Sequence, residues 1–160
     1  MVNARHAELG DIDEIIRLRE VMIAEWFDMS DSTWKSEAAE VLRRRLDEPK
    51  PTMAVTVIDA PDGAGLAACA AGTIEERLPF PVNLSGRVGW VFNVVTDPQW
   101  RRRGFSRSCV TALLDWFDQQ SVATVELLAT GDGEGLYQRY GFNRTKEPSM
   151  RLRMTERTEP

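Results

Sequence analysis

Histidine is nearly absent from this chain of 160 residues, with His6 the only one, and cysteine occurs only twice. One histidine and two scattered cysteines cannot assemble a structural zinc site, so no metal is expected. Cys69 and Cys109 sit in apolar runs with no CxxC partner, and both read as buried free thiols. Nothing else suggests an oxidising compartment, so a cytoplasmic protein is expected. No apolar run approaches the roughly 20 residues that cross a bilayer. The opening MVNARHAELGDIDE lacks a basic start followed by an apolar stretch, so a signal peptide is not expected. The nucleotide-binding patterns GxxxxGK[ST] and GxGxxG are missing. Net positive charge is missing too: the balance is −5. That disfavours nucleic acid, which is gripped by counterion release, and suits a cationic or neutral partner such as an amine.

What is present is ordinary globular material, 42% hydrophobic and 28% charged. The length fits one domain over residues 1–160, with 155–160 a loose tail. A helix is expected over 11–29. Asp11 opens it with Glu14 three residues on, as in a capping box. Ile12, Ile15, Ile16, Met22, Ile23 and Trp26 recur at helical spacing. Ser30-Asp31-Ser32 reads as a loop and a fresh cap. A second helix puts Trp34, Ala38, Val41, Leu42 and Leu46 on one face and stops at Pro49 and Pro51. Strands are expected over 2–8, 53–58, 66–74, 88–96, 122–128, 142–145 and 150–154. In the last, Met150, Leu152 and Met154 alternate with Arg151 and Arg153. A helix from Gly104 carries Cys109, Val110, Leu113, Leu114 and Phe117 inward, and a short helix over 135–140 ends at Gly141. Residues 59–65 form a turn, and 78–83, with two prolines around Phe80, form a loop. The fold class is therefore α/β, a mixed, largely antiparallel central sheet flanked by helices.

The junction at 96–107, TDPQWRRRGFSR, concentrates the chemistry. The strand before it is apolar enough to be central. The first N–H groups of the following helix have no intrahelical acceptor, and the helix dipole adds positive character there. Such an end suits phosphate. Gly104 is expected to allow close backbone approach, and Ser106 is small and can donate. Arg101, Arg102, Arg103 and Arg107 add a local cationic patch to an acidic chain. Alone, an RRRG run reads as a solvated loop; its place between a central strand and an amphipathic helix favours an anion site.

The spacing Arg101-x-x-Gly104-x-Ser106 resembles the Q/R-x-x-G-x-G/A motif of the GCN5-related N-acetyltransferase (GNAT) family. VVTDPQW resembles the strand and turn that lead into that motif. A second block, Leu136-Tyr137-Gln138-Arg139-Tyr140-Gly141-Phe142, is similar to the family's L-Y-x-x-x-G-F. The opening strand and two helices fit the family's N-terminal arm, so the resemblance covers nearly the whole chain. It departs at Ser106, where Gly or Ala is usual, and at Thr130, where many members carry Asn.

The resemblance implies an acyl-CoA N-acyltransferase-like fold and acetyl-CoA as co-substrate. It implies that the turn, Arg101, Arg102, Arg103, Gly104, Phe105, Ser106 and Arg107, holds the pyrophosphate, largely through backbone N–H groups. Val94, Val95 and Thr96 would run beside the pantetheine arm, next to a bulge that opens a cleft, and Thr130 would lie on the cofactor side. A strand N–H would polarise the thioester carbonyl. Tyr137 matches the tyrosine that commonly protonates the departing thiolate, and with a pKa about 10 it is protonated at neutral pH.

The acceptor side is less marked. Asn93, in the middle of its strand, can orient an acceptor or a water. Glu25, Asp28, Glu75 and Glu76 are candidate bases, each equally readable as a surface charge. Trp26, Phe27, Trp34, Phe80 and Trp90 either line the acceptor pocket or pack the core. His6, far in sequence from both motifs, reads as structural or exposed. The expected reaction is acetyl transfer to an amine in a ternary complex, the amine a small molecule and no membrane involved. Such folds often pair, so a homodimer belongs with the expectations. The alternatives are a peptide acceptor, a non-catalytic acyl-CoA sensor and a different phosphate-binding enzyme.

Overall fold

The computed structural model describes residues 2–159. The elements run β1 (Arg5–His6), α1 (Ile12–Ile23), α2 (Thr33–Leu46), β2 (Met53–Asp59), β3 (Leu66–Glu76), β4 (Arg87–Thr96), α3 (Phe105–Gln119), β5 (Thr124–Leu127) and α4 (Glu134–Gln138). The sheet order is β1-β2-β3-β4-β5. Every neighbouring pair is antiparallel except β4 and β5, which are parallel. The chain forms two compact units, divided after Leu128. The first holds the sheet with α1, α2 and α3; the second holds α4 and the C-terminal segment. Among the described residues, no helix is long and apolar enough to cross a membrane.

Alternation along the central strands builds two cores. Val55 and Val57 pack with Ile12, Ile15, Ile16 and Leu18 of α1 and Leu42 of α2. Between them, Thr56 points the other way and donates its hydroxyl to the Cys109 carbonyl of α3 at 2.8 Å. That second face is held by α3, whose Phe105, Cys109, Val110, Leu113, Trp116 and Phe117 are buried at helical spacing. The Phe117 ring lies against two glycines on adjacent strands. A Cβ on Gly72 would fall 2.6 Å from its Cζ, and one on Gly89 would fall 2.8 Å from its Cε1. A larger residue at either position would displace the Phe117 ring from the core.

Several expected elements are shorter or elsewhere. α1 ends at Ile23, not near Met29; the Ile23 carbonyl accepts from both Trp26 and Phe27 N–H, and Asp28 then folds onto Ser30. Trp26 and Phe27 are exposed, so no apolar surface prolongs the helix there. The cap lies one turn early: Asp11 Oδ2 accepts the Glu8 N–H at 2.8 Å. Glu14 instead accepts the Leu66 N–H and pairs with Arg17. Val41 of α2 is exposed. The opening strand shrinks to Arg5–His6.

The strands expected over 142–145 and 150–154 do not form. The segment is irregular, with one 3-10 turn at Met154–Glu156, and Met150, Leu152 and Met154 are exposed. Alternation makes a strand only where a ladder and an apolar surface receive it, and among the described residues the second unit contains no sheet.

Candidate functional site

The site's first component is a defect in β4. Ala71 pairs with Phe92, but the next partners are Cys69 and Val95. One residue of β3, Ala70, therefore stands opposite two of β4, Asn93 and Val94, which is a β-bulge. Asn93 takes φ +53°, a left-handed conformation that asparagine tolerates better than most side chains. It is buried, and both ends of its amide are engaged. Its Oδ1 accepts from Arg19 Nη1 at 3.0 Å, and its Nδ2 donates to Cys69 Sγ at 3.5 Å. On the opposite side, β5 pairs with β4 only from Val88 to Val91. Beyond that, Val94, Val95 and Thr96 have β3 on one edge, and among the described residues no strand lies on the other.

The second component is the turn. Asp97 Oδ1 accepts the Gln99 N–H, Oδ2 accepts from Arg17 Nη1 at 2.6 Å, and Pro98–Trp100 makes one 3-10 turn. Arg102 (φ +65°) and Gly104 (φ +79°) are both left-handed. Left-handed residues interspersed in a turn help aim successive N–H groups into one concavity, the geometry that holds anions. A Cβ on Gly104 would meet no protein atom within 4 Å. The dihedral by itself calls for glycine here, independently of the close backbone approach expected for an anion. The first intrahelical bond of α3 runs from Ser108 N–H to the Gly104 carbonyl, so the Phe105 and Ser106 amides precede the ladder. Phe105 is buried and anchors the helix start. The Ser106 and Thr96 hydroxyls lie 2.6 Å apart, clasping the end of β4 to the first turn of α3. The arginines stay exposed. Arg103 stacks its guanidinium 4.8 Å from the centre of the Trp100 ring, and Arg101 Nε reaches the Thr96 carbonyl at 3.5 Å.

In the second unit, Tyr137 lies in the last turn of α4. Burial pushes its hydroxyl pKa up, and its ring meets Phe142 edge-on at 5.9 Å. Phe142 N–H reaches the Tyr137 carbonyl, Gly141 N–H reaches Gln138, and Gly141 has φ +91°. This is a Schellman ending with glycine at the left-handed position. The Thr130 carbonyl accepts from Gly133 and Glu134 N–H and so starts the helix.

The acceptor-side candidates lie on several elements and loops. Glu25, Trp26 and Phe27 leave α1 exposed, and Phe80 sits exposed on the β3–β4 loop. No ring contact joins Trp26 to Phe80 among the described residues. Glu75 is exposed and paired with Arg77, and Asp28 is held below the usual carboxylate range by hydrogen bonds from Ser30. Glu76 and His6 are exposed; Trp34 and Trp90 are half-buried. Burial raises the Cys69 thiol pKa strongly and pushes Cys109 up to about 12. Neither offers a thiolate for an acyl-cysteine intermediate. Sequence reasoning passed over Arg17 and Arg19, which reach Asp97 and Asn93 from α1. Their only local signal was the Glu14–Arg17 spacing.

A family model for the acetyltransferase (GNAT) family matches residues 17–142, a span that includes the bulge, the turn and α4. No curated protein matches the sequence. Among solved structures, the chain is similar to a predicted acetyltransferase with acetyl-CoA from Clostridium acetobutylicum, at 22% identity over 99% of this chain and 100% of that one, TM-score 0.83. It is similar to a GCN5-related N-acetyltransferase from Ralstonia eutropha at 24% identity, covering 95% and 99%, TM-score 0.78. A glucosamine-6-phosphate N-acetyltransferase from Arabidopsis thaliana aligns at 17% identity, covering 95% and 98%, TM-score 0.75. At these identities the structural likeness shows the fold.

Proposed function

The chain belongs to the GNAT acetyltransferase family, and from that membership we propose that it transfers the acetyl group of acetyl-CoA to the amine of a small molecule within a single catalytic domain. The observation that carries the reading is the continuity of bulge, open strand edge and left-handed turn from Asn93 to Ser106. The residues present suit the cofactor. Backbone N–H groups around Arg102, Arg103, Gly104, Phe105, Ser106 and Arg107 would take the pyrophosphate. The exposed arginines would attract its charge. The edge at Val94, Val95 and Thr96 offers backbone groups to the pantetheine amides, and one N–H there would stabilise the oxyanion. Thr130 is assigned to the cofactor side.

The neutral amine nitrogen forms a bond to the thioester carbonyl carbon, and the carbon–sulfur bond breaks. Tyr137 gives its phenolic proton to the departing sulfur and is reprotonated from solvent, while the amine's surplus proton leaves to solvent or to a carboxylate, so the net transfer of one proton from amine to sulfur balances. A raised Tyr137 pKa supports this role, because the acid form persists throughout the neutral range. With both thiols protonated, direct transfer is favoured over a covalent relay.

The test is a panel of small amines and short peptides incubated with acetyl-CoA, following free thiol. Release that depends on one class of small amine is the expected result. Release with peptides alone would correct the acceptor. Tight coenzyme A binding with no transfer to any amine would make the chain a sensor, and binding of ATP but not coenzyme A would overturn the reading.

A further inference from the structure

A buried amide and a half-buried guanidinium meet at the bulge of β4. Asn93 holds a left-handed backbone inside the protein, φ +53° with 6% of its surface exposed. A buried carboxamide is costly unless its polar atoms are bonded. Its Oδ1 accepts from Arg19 at 3.0 Å, and its Nδ2 reaches only the thiol of Cys69, a weak acceptor, at 3.5 Å. Arg19 therefore supplies the strong, charge-assisted bond of the pair. Its neighbour Arg17, two residues earlier on α1, donates to Asp97 at 2.6 Å. α1 thus grips β4 at both ends of the segment 93–97, and residues 94–96 between the grips are those with an open edge.

We propose that Arg19 is a positioning residue for the acyl donor: through Asn93 it holds the bulge in place, and the bulge keeps the 94–96 backbone open to the pantetheine arm. The proposal rests on the acetyl-CoA reading above. It assigns a donor-side task to a helix whose sequence pattern shows only a core-facing stripe. It also gives Asn93 a task other than meeting the acceptor, since both ends of its amide are already bonded within the protein.

The test compares Arg19→Met, Arg19→Lys and Asn93→Gly in the full chain. Arg19→Met removes the donor and keeps the apolar stem. Arg19→Lys keeps a cationic donor. Asn93→Gly keeps the positive φ and removes both side-chain bonds. Arg19→Met and Asn93→Gly are each expected to weaken coenzyme A binding and raise the acetyl-CoA KM roughly three- to tenfold, the effect of one partly screened charge-assisted bond. The amine KM should stay within about twofold. Arg19→Lys should recover most of the loss, and the Arg19→Met/Asn93→Gly pair should be no worse than Asn93→Gly alone. In the unliganded protein, amide exchange should quicken at 94–96 in Arg19→Met. Should Arg19→Met not fold, Arg19→Gln is measured by the same criteria. Folded variants that bind coenzyme A as the parent does, or single effects that add, would overturn the proposal. A parent protein that binds no coenzyme A would sink the acetyl-CoA reading and this proposal with it, and that result is distinct from parent binding with unaffected variants.

Discussion

Tyr137 carries its hydroxyl on a helix of five residues, half-buried and with its pKa raised by burial. A phenol raised in this way stays protonated at neutral pH but is a weaker acid than a thiol, so its proton stabilises the sulfur as charge develops on it, and the amine's surplus proton makes the overall transfer favourable. Replacing Tyr137 with Phe removes that proton and keeps the ring against Phe142. We expect kcat to fall by about 10²–10⁴, the usual range for loss of one general acid. Coenzyme A affinity by calorimetry should change by less than about twofold. An unchanged kcat would remove Tyr137 from the chemistry. Its candidacy was legible because LYQRYGF is a local pattern. Asn93 was legible only as the polar residue in an apolar strand. The two-against-one register that puts it at a bulge depends on β3, and the bond that locks it comes from Arg19, distant in sequence.

At the scale of elements, the turn between β4 and α3 is the part that local chemistry determines most fully. Gly104 at φ +79° has open space where a Cβ would stand, so an alanine there meets strain and not a clash. Gly104→Ala should cost about 1–2 kcal/mol, the penalty for a left-handed Cβ-bearing residue. Urea unfolding measures it directly. If the turn relaxes to escape the strain, its amides lose their common aim, and coenzyme A affinity falls with stability. A variant as stable as the parent, binding coenzyme A equally well, would show that the positive φ is dispensable. Except for the C-terminal end of α1, the helices were legible to within a turn because apolar residues recur at their period. The C-terminal strands were misread for a physical reason: the Met150–Arg151 alternation states which side each residue would face, but not that a ladder partner exists. The early end of α1 follows the same logic, since Trp26 has the right spacing but no surface to cover.

For the molecule as a whole, a few arginine–carboxylate clusters tie distant segments of the first unit. Arg5 of β1 donates to Asp11 at 2.8 and 2.9 Å and to Asp59 of β2 at 2.7 and 3.0 Å. Arg17 of α1 joins Glu14, Asp97 and the Leu66 carbonyl at the start of β3. Hydrogen bonds from Arg5 hold Asp11 and Asp59 below the usual carboxylate pKa, and Arg17 does the same to Glu14. A carboxylate whose pKa is depressed by folding stabilises the native state above its unfolded pKa, about 4, and the contribution drains away as pH falls through the folded value. Stability should therefore be nearly flat from about pH 8 to 5 and drop below about pH 4. Arg5→Met isolates one cluster. The Arg5 side chain is 39% exposed and that of Asp59 more so, so screening limits the effect to about 1 kcal/mol at pH 7. Urea unfolding of parent and variant at pH 7, 4 and 2.5 tests both magnitude and sign. The gap between them should close as the acids protonate. A gap that stays constant to pH 2.5 would mean that Arg5 acts through the packing of its stem and that the charge pairing contributes nothing to stability.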